Sequence, residues 1–256
     1  MANDPIKQFH IEPLVEFQLA GWDASFTNAS LAMVAGAGLA AWFFNWAMKP
    51  AALVPGRAQV VAEGAYDFIR GMLKDGAGEE GVRKFLPFVF TLFLFIFMSN
   101  MLGMFPGVFG VHHIFTPTSQ IVVTAALALM VFFTVIIVGF AKNGLRFFKL
   151  FAPSGVPGYI LPFVILIEVI SFFSRPLSHA VRLWANILAG HILLKVFAGF
   201  VPALAAAGGI FTALSILPLA MTVALYGLEF LVAFLQAYVF AILTCIYLND
   251  ALHPGH

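Results

Sequence analysis

The chain has 256 residues, of which 62% are hydrophobic types and 10% are charged, with 30 phenylalanines and a formal net charge of +1. Soluble domains carry roughly 25% charged residues, and no water-soluble fold of this length hides so much apolar surface. The near-zero charge leaves no nucleic-acid signature, and the single cysteine, Cys245, excludes an internal disulfide.

The apolar runs are continuous rather than alternating, which points to helices and away from a barrel. The expected fold is an all-α polytopic membrane protein in one membrane domain. The opening, "MANDPIKQFHIEPLVEFQ", is polar and acidic and lacks the basic-then-apolar order of a cleavable signal. Residues 1–28 are expected to form an outer tail. The first span is expected over 29–48, ending at Lys49-Pro50. Residues 55–84 are polar, with Val60, Val61, Ala65, Phe68, Ile69 and Met72 at roughly helical spacing. That pattern predicts an amphipathic helix on the membrane surface, with a soluble hairpin as the alternative. Two spans are expected within 85–141, one from Phe85 to about Phe109 and one from about Thr118 to Ala141, joined by a turn with Gly107, Gly110 and His112-His113.

A loop from Lys142 to Pro157 comes next, then apolar stretches from Tyr159 to Phe200 and from Pro202 to about Leu248, and a polar tail, "NDALHPGH". Each long stretch would run about 60 Å as a helix, against a hydrocarbon core about 30 Å thick. Ordinary tilts of roughly 0–40° do not absorb the excess. Pro176, Pro218 and Gly208-Gly209 are candidate breaks, the glycine pair the best of them. Residues 159–248 are therefore expected to form a steeply tilted helical hairpin, the last two of about five membrane helices. Basic residues cluster in the Pro50–Lys84 and Lys142–Lys149 segments. By the positive-inside rule these face the cytoplasm, which puts the N-terminus outside and the C-terminus inside.

Five charged residues fall within the apolar spans, all in the last two stretches: Glu168, Arg175, Arg182, Lys195 and Glu229. A charge at bilayer depth is costly and is a functional candidate by default. Glu168, Arg175 and Arg182 are spaced by seven, so each falls within about 20° of the one before on a helix. Ser171, Ser178 and Asn186 lie on or near that stripe, and His191 falls on the opposite face. Thr222, Glu229 and Gln236 repeat the seven-residue step. Glu168 and Arg182 stand about 21 Å apart along one helix and cannot touch. A pair with Glu229 or with a lipid phosphate remains open for Arg182. Arg175 and Lys195 are read as snorkelling to head groups, and His191 with Glu229 as a titratable pair. The usual motifs of bond-making chemistry are absent, so no catalytic chemistry is expected in this chain. His112-His113 alone do not make a metal site, and no metal or cofactor is expected.

With "SRPLSHAVRLWANILAGH" and "LEFLVAFLQAYVFAILTCIYLND", the chain closely resembles subunit a of the F-type ATP synthase; "IKQFHIEPL" and "FMSNMLGMFPG" also fit that family. The resemblance implies a stator subunit that packs against a ring of c subunits and works beside the b/b′ peripheral stalk, with protons as cargo and membrane lipid around it. It implies that Arg182 is the coupling charge. His191 and Glu229 would belong to the outer half-channel, and Glu168 and Asn186 to the cytoplasmic one. Gln236 would lie close to Arg182, and Asn100 would line an aqueous path. Many bacterial members carry glutamate at the position of His191 and histidine at that of Glu229. Here the two are exchanged, as in mitochondrial and alphaproteobacterial forms. A bacterial inner membrane is the expected location. The rival readings are a self-contained secondary cation or proton transporter, against which no internal repeat is visible, and a purely structural anchor.

Overall fold

The computed structural model describes residues 10–16, 18–19, 22–23, 25–49, 52–105, 115–152 and 156–254. The turn carrying Gly107, Gly110 and His112-His113 lies outside the described residues, as does the start of the tail. Four short strands come first: β1 (Pro13–Val15), β2 (Gln18–Leu19), β3 (Trp22–Asp23) and β4 (Phe26–Thr27). They pair antiparallel, β1 with β4 and β2 with β3. The tail thus holds two small ribbons that its polar composition did not announce. Helices follow: α1 (Asn28–Ala47), α2 (Arg57–Met104), α3 (Ile121–Asn143), α4 (Leu161–Ala207), the short α5 (Ile210–Leu214) and α6 (Ile216–Leu252). Among the described residues, five helical segments are long and apolar enough to cross a membrane. Large apolar side chains stand exposed along them, such as Trp42, Phe163 and Leu177, as expected for a chain whose solvent is lipid.

Local chemistry places the helix boundaries. Thr27 Oγ1 accepts the Ser30 amide at 3.3 Å, a side-chain cap for α1. Asn28 ties the same point to the ribbon: its Oδ1 accepts from Glu12 N at 3.2 Å and its Nδ2 donates to His10 O at 3.0 Å. In α2 the polar stretch and the second span share one element, broken only at Gly78 (φ 66°, ψ −177°). A left-handed φ is open to glycine and strained for other residues. The break therefore precedes the expected boundary at Lys84. The apolar residues expected to lie on a membrane surface divide: Ile69 and Met72 are buried, with Ala62 and Leu73, whereas Val60 and Val61 are exposed.

Neither Pro176 nor Pro218 breaks its helix. Pro176 lies inside α4, and Pro218 falls in the first turn of α6, where its missing N–H is no loss. The break is at Gly208-Gly209, with φ of 74° and 58°. The boundary between the two long stretches is thus at the glycine pair, and Pro202 is inside α4. The polar tail is also corrected, because α6 continues to Leu252 and makes Asn249 and Asp250 helical.

The chain forms two compact units, each of three separate segments. The first comprises Met1–Leu39, Phe95–Gln120 and Leu183–Ala237, and the second Ala40–Leu94, Ile121–Arg182 and Tyr238–His256. In the first, Ala29, Ala32 and Phe115 form an apolar cluster, beside a buried polar set: Ser99, Asn100, Thr116, Thr118, Ser119, His191 and Glu229. The second has a conventional apolar core with Ile69, Leu73, Val89, Phe147 and Leu248. Phe147 fills the space that a Cβ on Gly139 would take. Cys245 is buried, with its Cβ 2.9 Å from where a Cβ on Gly76 would stand.

Candidate functional site

In the first unit the polar groups come from four elements. Asn100 on α2 uses both ends of its amide: Nδ2 donates to the Ala233 carbonyl of α6 at 3.1 Å, and Oδ1 accepts from Thr118 Oγ1 at 2.6 Å. Thr118 belongs to a 3-10 turn over Pro117–Ser119 that leads into α3. The turn is held further by Ser119 Oγ, which donates to the Thr116 carbonyl at 2.7 Å. Thr116 itself is hydrogen-bonded to His191 Nε2 of α4 at 3.2 Å. Its side chain fills the space that a Cβ on Gly103 would occupy. Tyr226 of α6 donates its hydroxyl to the Met104 carbonyl.

Glu229 is 5% exposed, and its carboxylate lies where a Cβ on Gly190 would stand. Its Oε1 is buried without a hydrogen-bond partner, as is Ser99 Oγ. A buried polar atom without a partner is costly. Around His191 and Glu229, the imidazole of His191 bonds Thr116, while the carboxylate of Glu229 seats on Gly190, the chain neighbour of His191. Asn186 is exposed and Gln236 is half-buried.

In the second unit the charged residues of α4 meet the end of α6. Arg175 Nη1 is 2.8 Å from Asp250 Oδ2, and its Nη2 is 3.8 Å from Glu168 Oε1. The guanidinium lies 4.9 Å from the Tyr247 ring centroid and 5.5 Å from that of Phe172. Arg175 is therefore paired inside the protein, which corrects its reading as a snorkelling residue. A carboxylate two helical turns away and a second from α6 satisfy it better than a distant head group. His179 is buried and hydrogen-bonded through Nε2 to the Phe240 carbonyl at 3.2 Å. Arg182 is exposed, and no ion pair to it occurs among the described residues. Nor does any cluster of three or more metal-ligating side chains occur among them.

Several of these residues escaped the sequence reading. Asp250 lies in the segment expected to be a polar tail. Thr116 falls in the expected turn, and Thr118 and Ser119 at the expected start of the third span; their hydroxyl-rich run, Thr-Pro-Thr-Ser, is the available signal. Gly190 and Gly103 matter through what fills the space beside them, which no local pattern reveals.

The family model described as ATP synthase A chain matches residues 30–249. The chain is 59% identical over 255 residues to ATP synthase subunit a of Rhizobium etli, covering 100% of this chain and 99% of that one. It is 59% identical over 256 residues to ATP synthase subunit a of Chelativorans sp., with 100% of each covered. It is 61% identical over 257 residues to ATP synthase subunit a of Maricaulis maris, with 99% of each covered.

Proposed function

Because the chain belongs to the ATP synthase A chain family, we propose that it carries protons through two half-channels against a rotating ring of c subunits, and so couples proton flow to ATP synthesis. The observation that carries this reading is the order and state of groups on α4. Glu168, Arg182 and His191 succeed one another along a single helix, and Arg182 is the exposed one, with no ion pair among the described residues. The relatives named ATP synthase subunit a support membership of that complex. The c ring and the b/b′ stalk are the partners proposed within it.

The moving carboxylate belongs to the c ring. It must be neutral while it faces lipid, because a charge in hydrocarbon is costly. An arginine beside it favours the ionised form. Arg182 keeps its own proton at any physiological pH, so it forces proton release without relaying protons itself. It also blocks direct leakage between the half-channels. His191 and Glu229 relay protons from outside, with Asn100 lining the way and Gln236 near Arg182, while Glu168 and Asn186 serve the cytoplasmic side. Each proton crossing is worth about 2.3 kcal/mol per 100 mV. The proposed setting is a bacterial inner membrane, with the N-terminus outside and the C-terminus cytoplasmic; the basic residues of 50–84 and 142–149 support that orientation. The lengths of α4 and α6, about 70 and 55 Å, support a strong tilt.

The test is ATP-driven acidification of inside-out membrane vesicles, wild type against Arg182→Ala, with ATPase activity followed in parallel. Loss of acidification in an assembled mutant complex is expected. A mutant that still pumps would make Arg182 structural and move the channel to another face.

A further inference from the structure

Arg175 and Arg182 stand in the same heptad register of α4, within the second unit. Seven residues return a helix to within about 20°, roughly 10 Å further along. By sequence the two cations are equivalent, and a carboxylate drawn to one would also be drawn to the other. The structure makes them unequal. Arg175 is 18% exposed in its side chain, ion-paired to Asp250 at 2.8 Å and flanked by the rings of Tyr247 and Phe172. Arg182 is exposed.

We propose that Asp250 is a positioning residue for proton transfer: its carboxylate cancels the charge of Arg175 and leaves Arg182 as the uncompensated arginine of this α4 stripe among the described residues. The proposal rests on the reading of Arg182 given above. Glu168 alone would not achieve this, since at 3.8 Å it lies beyond hydrogen-bond reach of the guanidinium. With Asp250 neutral, Glu168 becomes the sole counter-ion of Arg175 and is tied up as one. Arg175 then also presents a second cation two turns from Arg182, and a passing carboxylate is held ionised at two stations instead of one.

The test uses the whole complex in inside-out vesicles and reads ATP-driven acidification per assembled complex for Asp250→Asn, Asp250→Glu and the double variant Arg175→Gln/Asp250→Asn. Asp250→Asn is expected to lose about tenfold or more, as for a partly buried charge stripped of its partner. Asp250→Glu keeps the charge and is expected to retain most of the coupling. The double variant removes both charges and is expected to recover to within about threefold of wild type, the coupling of a direct pair. A purely structural pair would also be rescued by deleting both partners, so assembly and ATPase activity are followed in the same membranes: the positioning role is expected to cost Asp250→Asn its acidification while the complex assembles and hydrolyses ATP. Wild-type pumping by Asp250→Asn, or a double variant no better than that single one, overturns the proposal. If Asp250→Asn fails to assemble, the pair is structural and the proposal is overturned. Arg182→Ala in the same membranes separates the two ideas. If it still pumps, the reading of Arg182 fails. If it is inactive and the double variant is not rescued, only the role of Asp250 fails.

Discussion

The carboxylate of Glu229 occupies the space that a side chain at Gly190 would need. The two residues are 39 positions apart, on α6 and α4, yet the backbone of one is the seat of the other. A Cβ there would collide with both carboxylate oxygens.

Gly190→Ala should therefore displace Glu229 and slow proton transfer. Overpacking of this kind costs about 1–3 kcal/mol. Acidification of inside-out vesicles should fall several-fold while the complex still assembles. Adding Glu229→Asp, which shortens the side chain by one methylene, should restore part of the rate. An unaffected Gly190→Ala variant would show that the carboxylate moves aside freely.

Thr116→Val should weaken the placement of His191, because the imidazole loses its hydroxyl partner and valine keeps the shape. Thr116→Ser should retain most of the pumping. A Thr116→Val variant that pumps as well as wild type would show that the hydroxyl does not place His191. The measurement is again acidification, compared with ATPase activity in the same membranes.

Asn100→Leu should destabilise the first unit. It removes both the donor to the Ala233 carbonyl and the acceptor for Thr118. Each orphaned buried group costs about 1–3 kcal/mol. A lower midpoint in thermal unfolding of detergent-solubilised complex is expected. An unchanged midpoint would mean that water replaces the amide in full.

Gly78→Ala and Gly71→Ala should differ in sign. Gly78 has a φ of 66°, and an L-residue there is strained by about 1–3 kcal/mol. Gly71 is inside α2 with open space around its Cα, where alanine is favoured by about 1 kcal/mol. Thermal unfolding of the two variants side by side checks this. Equal effects would mean that the break at Gly78 is not needed for the fold.

Much of this protein was written locally. Continuous apolar runs specify membrane helices because a backbone in lipid must satisfy its own hydrogen bonds. The seven-residue steps through Glu168, Arg175 and Arg182 come from helix periodicity alone. Gly208-Gly209 marked the break between α4 and α5 because only glycine takes two successive left-handed φ values cheaply. Local pattern could not say which side chain meets which. Arg175 and Asp250 are 75 residues apart, and Asn100 and Ala233 are 133 apart. Nothing in a local window tells a paired arginine from a free one, or a seat for a carboxylate from an ordinary glycine. Periodicity determines the face on which a charge stands, but its partner is chosen by the packing of distant helices, and only the tertiary structure decided that Arg175 is ion-paired to Asp250 while no ion pair to Arg182 occurs among the described residues.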